Sequence, residues 1–500
     1  MPRWVRPKPA AGCARVNSMI RPDLVTILDA AVASYSWLVE NDDGATAFPD
    51  LLAVVEEAGE LARELGRRVV QAFVDVRHKQ VKATRRVCAC GRRMEWHKKG
   101  EWPHGTDFGD VMVPDVYAYC RRCHRSARPL HGWLGTAAER WSLGVEEKVV
   151  DLATDESCQR AVDKLARHHP GVEVGRTTAL RMLHHHGAQA REFVAEKLAA
   201  ALAGAAQEGR SAGVPELEVE YDGGMIPVAT LEPIPVPEGQ EPELTPVRGL
   251  PKRRKDCRWE EAKLGLVQVP GEVEGRLYSV RPTAELEEAF DDLLGLACLK
   301  GWSEQTSVRG IADGARHIRR RLADAFHACS FRFILDRPHA KEHLHDAGEA
   351  LEALGGPPKD SWATAALDRL ETGAALEVVA ELRQAAERSG SDTLRLEADY
   401  FERNHDAVAY TEYREHGWST ASSEVESGHR SVVQVRLKLP GTWWHPDNVP
   451  NILALRMVKA NGWWAEYWAH QRNRWREHAH EIRSVEPRTR LAVAPAAAVV

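Results

Sequence analysis

The chain has no long hydrophobic run and little cysteine. No apolar stretch approaches the roughly 20 residues that a membrane-spanning helix needs. The nine cysteines are few for 500 residues and odd in number, which argues against a disulfide scaffold and for a reducing cytoplasm. The basic N-terminal segment, MPRWVRPKPAAG, is followed by no apolar segment, so we expect no secretory signal.

Neither sign of charge predominates. The formal net charge is only −6, and 28% charged with 43% hydrophobic residues is ordinary for a soluble globular protein. Bulk electrostatics therefore do not indicate a nucleic-acid-binding protein, and any contact with DNA must come from local basic patches. A chain of 500 residues is too long for one hydrophobic core, so several domains are expected.

Four of the cysteines form two close pairs. One residue separates Cys88 from Cys90, two separate Cys120 from Cys123, and a strand-like segment lies between the pairs. Two such pairs joined by a short β-rich loop predict the tetrahedral thiolate site of a structural zinc ribbon. The gap in the first pair is tight for chelation by both thiols, so a nearby histidine is an alternative ligand. The candidates are His97, His104 and His124.

Helical patterns precede and follow this zinc-ribbon-like segment. Apolar residues recur at three- and four-residue steps from 48 to 76, which predicts a helix. Farther on, a helix over 158–168, a glycine-containing turn and a second helix from Arg176 are predicted. The spacing fits either a helix-turn-helix or a plain helical hairpin. In the first case Arg176, Thr177 and Arg181 would contact DNA.

The stretch ELEVEYDGGMIPVA, residues 216–229, predicts a strand because apolar and acidic residues alternate along it. Further strands are predicted over 263–269, 276–280, 307–312 and 331–335, with helices before and after the fourth strand. Three strands, a helix, a strand, a helix and a strand is the order of a ribonuclease-H-like fold. A proline-rich loop after the first strand ends in a basic cluster that is either solvated or bound to phosphates. Its members include Lys252, Arg253 and Arg254.

Acidic residues stand at the functional ends of these predicted strands. In a ribonuclease-H-like fold the first and fourth strands lie side by side, so Asp222 and Asp313 would face each other. A third acid is expected from a later helix, after a helical insertion that begins near Ala340. Glu424 and Glu426, in the segment SSEVESGHR, are the candidates.

The predicted fold class is a multidomain α+β protein: a ribonuclease-H-like core with an all-α insertion, preceded by helical and zinc-ribbon-like domains. The predicted regions are a helical region over 1–85, a zinc-ribbon-like module over 86–135, a helix-turn-helix-like region over 136–210, a catalytic core over 214–340 and 420–470, the insertion over 341–419, and a basic C-terminal segment with a disordered tail over 471–500.

The chain resembles bacterial insertion-sequence transposases of the DDE class, in the ISKra-type group related to mutator-like elements. Four stretches carry the resemblance: TDFGDVMVPDVYAYCRRC with ARPLHGWLG, EVEYDGGMIPV, IADGARHIRRRLADAFHACSFRFILDRPHAKEHL, and SSEVESGHRSVVQVRLKLPGTWW. Together they span most of residues 86–465. The chain departs from the family in its C-x-C first pair and in His317 and Arg319, which replace aromatic residues.

The resemblance implies specific roles for the acids. Asp222 and Asp313 are the implied catalytic aspartates and Glu426, in Val-Glu-Ser, the glutamate. Asp336 also ends a strand and is a rival for Asp313; with His339 it matches a position where mutator-like relatives keep a Cys/His pair near the site. Arg430, in the same block as Glu426, is a further candidate for DNA contact.

Three converging carboxylates repel one another and are stable together mainly as ligands of divalent cations, and oxygen ligands suit Mg²⁺ or Mn²⁺. The expected activity is therefore two-metal cleavage of element ends and joining of their 3′-hydroxyls to target DNA. The expected partners are double-stranded DNA and at least one further copy of the chain. A ribonuclease-H-like nuclease that hydrolyses without joining, and a decayed copy that only binds DNA, are the alternatives.

Overall fold

The computed structural model describes residue 33 and residues 51–485, except 135–139, 208–212, 238, 240, 246–248 and 273. The described residues form two compact units. The first draws on Met1–Ala153, Cys158–Met182 and Trp468–Val500, and the second on Thr154–Ser157 and Leu183–Tyr467. None of the helices in this described part of the chain combines the length and hydrophobicity that a membrane span requires.

Helices and strands follow one another along the whole described chain. Up to residue 282 they are α1 (Leu51–Ala83), β1 (Glu95–Thr106), β2 (Gly109–Tyr119), β3 (Ser126–Ala127), α2 (Pro129–Leu134), α3 (Leu143–Asp155), α4 (Cys158–His168), α5 (Arg176–Gln207), β4 (Glu216–Pro233), β5 (Arg253–Gln268) and β6 (Leu277–Pro282). The later ones are α6 (Leu286–Leu299), β7 (Ser307–Ala312), α7 (Arg316–Ala325), β8 (Ser330–Leu335), α8 (Arg337–Ala353), α9 (Lys359–Glu371), α10 (Ala375–Ser389), α11 (Asp392–Asn404), α12 (Tyr410–Glu415), α13 (Ser423–Gly428), a π-helix (His429–Gln434), α14 (Val435–Leu437), α15 (Val449–Ala460) and α16 (Trp464–Val485).

The first unit contains a three-stranded antiparallel sheet in the order β1-β2-β3. Its strand β2 buries Val113 and Val116 against Val74 and Val81 of α1. The two α1 residues are seven positions apart and therefore lie on one helix face. The strands predicted between the cysteine pairs and the helix before them are thus confirmed, although the predicted helical region before residue 51 lies outside the described residues apart from residue 33.

The helix pair α4–α5 is also present as predicted. Cys158, Ala161 and Leu165 are buried on α4 at three- and four-residue steps. Residues 169–175 connect the helices, which is longer than the three or four residues usual in a helix-turn-helix. Recognition of DNA by this pair stays a prediction.

The second unit is organised around a five-stranded sheet in the order β6-β5-β4-β7-β8. The pairs β4–β5 and β5–β6 are antiparallel, and the pairs β4–β7 and β7–β8 are parallel. The first and fourth strands of this unit therefore lie side by side at its centre, as predicted. The molecule as a whole is a mixed α+β protein.

The second strand is longer than the sequence predicts. The sequence pattern predicts a start at residue 263, but β5 begins at Arg253, because residues 253–262 continue the antiparallel ladder against residues 224–233. Arg253 and Arg254 are therefore strand residues rather than the end of a loop. The charged side chains on this part of β5 conceal the alternation that marks a strand.

Helices cover both faces of the sheet. On the face of Tyr221, α6 contributes Phe290, whose ring stacks on that tyrosine with centroids 4.9 Å apart. Asp222 points to the opposite face because neighbouring residues of a strand alternate. There, a Cβ at Gly428 would meet Leu264 and Tyr278, so α13 lies close against β5 and β6.

The predicted insertion is helical throughout its elements α8 to α12. It docks on α7 through Arg319, which donates to the backbone oxygen of Arg403 at 2.6 Å and to Asp406 at 2.7 Å. After α15, the single helix α16 extends through the boundary predicted between residues 470 and 471. The predicted disordered tail lies outside the described residues.

Candidate functional site

All four paired cysteines come together in the first unit. The sulfur atoms of Cys88, Cys90, Cys120 and Cys123 lie within 4.8 Å of one another. A cluster of four cysteines at this spacing can hold a metal ion such as zinc. The structure brings together the four cysteines that the sequence singles out, including the pair separated by only one residue.

Two short turns explain how a C-x-C pair serves as well as a C-x-x-C pair. In the first, the Gly91 N–H donates to the Cys88 carbonyl at 2.9 Å, and Gly91 has a φ of 82°. In the second, the His124 N–H donates to the Cys120 carbonyl at 2.8 Å, and His124 has a φ of 54°. Each turn folds its loop back over its own first cysteine, so both pairs face the same point.

The thiols are electrostatically interdependent. A hydrogen bond from the backbone N–H of Arg92 lowers the pKa of Cys90 to about 6. Hydrogen bonding to Cys90 raises the pKa of Cys123 to about 12. Four thiolates this close repel one another, and a bound cation is what allows them to be ionised together.

The histidines considered as replacement ligands have other contacts. His97 stacks on Tyr117 with ring centroids 5.4 Å apart. The Nδ1 atom of His124 lies 2.7 Å from the hydroxyl of Tyr119. The buried His104 lines a cavity of about 400 Å³ in the same unit. Among the described residues, the cluster that could hold a metal contains cysteine only.

In the second unit, Asp222 and Asp313 are neighbours. The parallel ladder of β4 and β7 ends with the pair Tyr221 and Ala312, and each aspartate is the next residue of its chain. Adjacent strands lie about 4.8 Å apart, so the two backbones present their carboxylates side by side. Burial raises the pKa of Asp222, and the negative charge of Asp313 adds to that rise.

The helical insertion fixes the turn that carries Asp313. The Tyr400 hydroxyl donates to the backbone oxygen of Asp313 at 2.7 Å, and the Asn404 amide donates to that of Gly314 at 3.3 Å. The Asp313 carboxylate accepts a bond from the Ala315 N–H at 2.9 Å. Gly314 has a φ of 76°, a conformation that a residue with a side chain rarely adopts. The turn is therefore built around an Asp-Gly sequence.

His429 packs directly against Asp222. Its Nε2 atom lies 3.3 Å from the backbone oxygen of Asp222 and 3.9 Å from a carboxylate oxygen. A Cβ at Gly224 would lie 2.6 Å from the His429 Nδ1 atom, so the glycine makes this approach possible. Burial lowers the pKa of His429. The residue begins the π-helix, an irregularity common at functional sites.

The buried Asp336 and the half-buried His339 form an acid–base pair beside the aspartates. Their side chains are joined by a 2.6 Å hydrogen bond, and Asp336 also accepts bonds from the N–H and hydroxyl of Ser422 at 2.6 and 3.0 Å. The bond to Asp336 raises the pKa of His339 to about 9, and the charges of Asp222 and Asp313 add to the effect. Although burial alone would raise the pKa of Asp336, its hydrogen bonds hold it below the usual value.

The helix with the candidate third acid is attached to the central strand. The Val425 N–H of α13 donates to the Glu220 carboxylate at 2.8 Å. Glu220 is fully buried, and this burial raises its pKa to about 8. Among the described residues, its other carboxylate oxygen has no hydrogen-bond partner. Glu220 thus anchors α13 to β4, two residues from Asp222.

The two glutamates of α13 point to different partners. Glu424 forms an ion pair of 2.7 Å with Arg276. Glu426 forms one of 2.7 Å with Arg430, and the side chain of Glu426 is 65% exposed. Within the described part of the chain, the four cysteines are the one group of three or more His, Cys, Asp or Glu side chains gathered within 4.8 Å. The structure brings together Asp222 and Asp313 but leaves Glu426 directed outward.

The candidate DNA contacts lie on the surface in three places. Arg176, Thr177 and Arg181 are exposed at the start of α5. Arg253 and Arg254 are exposed on β5, whereas Lys252 is half-buried and paired with Glu243. Arg430 is exposed and paired with Glu426.

Sequence reasoning missed three residues that organise the acidic site: Glu220, Tyr400 and His429. Each acts across a long separation in the sequence, so spacing alone does not reveal it. The alternation of Glu218, Glu220 and Asp222 on one face of β4 was visible, and a buried acid on the face of Asp222 could have been inferred from it. Comparisons with protein-family models and with curated proteins find no match for this chain.

Proposed function

We propose that this chain is a DDE transposase that cleaves the ends of its insertion sequence and joins the freed 3′-hydroxyls to target DNA. The observation that carries the proposal is the pairing of Asp222 and Asp313 where the β4–β7 ladder ends, with α13 docked beside them. The strand order β6-β5-β4-β7-β8 supports a ribonuclease-H-like core. A helical insertion between β8 and α13 agrees with the arrangement that the resemblance implies.

The aspartates suit Mg²⁺ or Mn²⁺ as ligands. They offer carboxylate oxygens side by side, and the raised pKa of Asp222 reflects burial and a neighbouring negative charge that a cation would offset. Glu426 would complete the set after release from Arg430. When bound, two such ions activate a water or a DNA 3′-hydroxyl and stabilise the leaving oxygen.

The residues around the aspartates have positioning roles in this proposal. His429 fixes Asp222, while Tyr400 and Asn404 fix the turn of Asp313. The protonated His339 places a positive charge near both aspartates, which favours their ionised state and the approach of a phosphate.

DNA binding is assigned to other parts of the chain. The exposed basic residues at the start of α5 and on β5 supply phosphate contacts, and the four-cysteine module, with zinc, supports end recognition. Because two element ends must be held together, the active species is at least a homodimer on double-stranded DNA.

The test is a joining assay with oligonucleotides from the DNA that flanks the coding sequence, a supercoiled target plasmid, and Mg²⁺ or Mn²⁺. We expect Asp222→Ala, Asp313→Ala and Glu426→Ala to abolish strand transfer while end binding in a mobility-shift assay is largely retained. Asp324→Ala removes an exposed acid of α7 and serves as the matched control.

The outcomes separate the proposal from its alternatives. Full joining activity in any of the three variants refutes the assignment of that residue. Cleavage without joining by the unmodified protein would identify a nuclease, and binding without either reaction would identify a DNA-binding protein that has lost catalysis. Loss of activity in Glu424→Ala but not in Glu426→Ala would transfer the third role to Glu424.

A further inference from the structure

The central hairpin extends beyond the five-stranded sheet as a two-stranded arm. In the arm, residues 225–233 of β4 pair with residues 253–261 of β5, whereas β7 pairs only with residues 216–221 of β4. The segment around Trp444 joins this arm, since its N–H donates to the Pro227 carbonyl at 3.2 Å and its carbonyl accepts from the Ala229 N–H at 2.8 Å. The backbone at Trp444 therefore makes one short strand-like contact with β4 in the arm.

Two tryptophans and two lysines form a ridge on this arm. Lys255 and Trp259 are four positions apart on β5, so their side chains share one face. The Lys255 Nζ lies 4.9 Å from the ring centroid of Trp443, whose ring lies 6.3 Å from that of Trp259. The Lys438 Nζ lies 5.9 Å from the Trp259 ring. We call these four residues the arm ridge.

The arm ridge is held in place yet open to solvent. Trp259 is 55% exposed, which is unusual for so large an apolar side chain. Its neighbour Trp443 is fixed by the backbone pairing of Trp444, whose own ring is buried beneath Arg436 at 4.6 Å. A rigid, exposed indole loses little conformational entropy when a flat ligand stacks on it.

The positive charges of the arm ridge are available to an anion. Asp256 and Glu260 alternate with Lys255 and Trp259 along β5, so they lie on the other face, where both pair with Arg258. The acid that does share the ridge face, Glu261, is paired with Lys263 at 2.8 Å. Among the described residues, neither Lys255 nor Lys438 has an acidic partner within 4 Å.

We propose that the arm ridge binds single-stranded DNA, with bases stacked on the two indoles and phosphates beside the two lysines. Aromatic rings interleaved with cations fit an unpaired strand, because stacking needs an exposed base face. Paired bases in a duplex do not offer one. This inference rests on the proposed function, because the strand that the arm ridge would bind is the one whose end reacts at Asp222.

The geometry also sets a distance. Leu264 is the partner of Asp222 in the ladder, and Trp259 lies five residues before it on β5. At about 3.4 Å per residue this is roughly 17 Å. Because this separation is an odd number of residues, Trp259 lies on the opposite face of β5 from Leu264 and Asp222. A stacked strand advances about 3.4 Å per nucleotide, so a strand that passes from one face to the other needs more than about five nucleotides.

The experiment measures fluorescence anisotropy of a labelled dT20 oligonucleotide and of a 20-base-pair duplex, with the full-length protein and no added Mg²⁺ or Mn²⁺. We expect Trp259→Ala to weaken dT20 binding about 5- to 150-fold, the range typical for loss of one stacked base, and to leave duplex binding nearly unchanged. Trp259→Phe keeps a stacking surface and should retain most of the affinity. Leu354→Ala, at another exposed apolar residue, is the control.

Further variants test the charges and the distance. Lys255→Gln should reduce the slope of log Kd against log salt by about 0.7 to 1 for dT20. On duplexes with 3′ single-stranded extensions, the effect of Trp259→Ala should be absent with extensions of about five nucleotides or fewer and appear only with longer ones.

Several results would overturn the inference. One is unchanged dT20 affinity in Trp259→Ala; another is an equal loss on duplex and single strand. A change in subunit number without a change in DNA affinity would instead identify the arm ridge as a contact between copies of the chain. Because no Mg²⁺ or Mn²⁺ is added, this assay does not depend on catalysis, so a failure of the Asp222→Ala joining test is measured separately.

Discussion

The two candidate metal sites of this molecule differ in how far they are assembled. Four cysteine sulfurs lie within 4.8 Å of one another, ready to enclose an ion. At the acidic site, Asp222 and Asp313 are adjacent on the sheet, but Glu426 faces solvent beside Arg430. One site is complete in its ligands, and the other has two parts in place and a third directed away.

The difference follows from how each site is built. The cysteines belong to two tight turns joined by one hairpin, so local hydrogen bonds bring the ligands together. The acids come from two strands and a helix. The helix is attached to the sheet through the buried Glu220 carboxyl, the Glu424–Arg276 ion pair and the packing of Gly428. The position of Glu426 therefore depends on how its helix is attached, whereas the cysteines are positioned by their own turns.

The largest expected effect is at the four-cysteine site. Cys120→Ala removes a buried ligand and should reduce bound zinc from about one ion per chain to none, since structural zinc contributes on the order of 10 kcal/mol of binding free energy. Atomic absorption measures the metal, and limited proteolysis should show new cleavage between residues 88 and 123. Cys257→Ala changes an exposed thiol outside the cluster and should leave both measurements unaltered. Zinc retained by Cys120→Ala would mean that this cysteine is not a ligand.

The second effect concerns the attachment of α13. Burial raises the pKa of Glu220 to about 8, above its ordinary value of 4.5, so the native state holds this proton more tightly than the unfolded state. The cost of ionising Glu220 in the native state therefore lowers the free energy of unfolding progressively as the pH rises from about 4.5 to about 8. Glu220→Gln cannot ionise and should remove that loss, which amounts to roughly 4 kcal/mol between pH 4.5 and 8.5.

Chemical denaturation of both proteins across this pH range measures the difference. Glu232→Gln, at the exposed end of the same strand, is the control. Parallel stability curves for the unmodified protein and Glu220→Gln would show that the carboxyl does not titrate there. A cation that lies near the carboxylates should reduce the difference, which links this measurement to the acidic site.

Local patterns predicted much of this molecule. Alternation located β4, the segment that ends at Asp313-Gly314 located β7, and cysteine spacing indicated the four cysteines that lie together. The extension of β5 to Arg253 was missed because its strand face carries lysine and tryptophan rather than a hydrophobic alternation. The partners of the aspartates were missed because Tyr400 and His429 reach them only after the insertion and the π-helix have folded.

The smallest expected effect lies in the pair that directs Glu426 outward. Both side chains are exposed, and an i,i+4 pair of this kind contributes little to stability. Arg430→Ala and Glu426→Gln should each change the free energy of unfolding by less than about 0.5 kcal/mol, as should Arg395→Ala in the comparable exposed pair of α11. Urea denaturation measures all three.

Because the expected change in the free energy of unfolding is small, the role of Glu426 in catalysis can be tested separately from its role in stability. If Glu426→Gln loses strand transfer while its stability is unchanged, the loss arises from chemistry at the site and not from unfolding. A destabilisation of 2 kcal/mol or more, by contrast, would mean that Glu426 supports α13 as Glu220 does, an effect well above what an exposed pair contributes. In that case Glu426 has a structural role, and Glu424 becomes the better candidate for the third ligand.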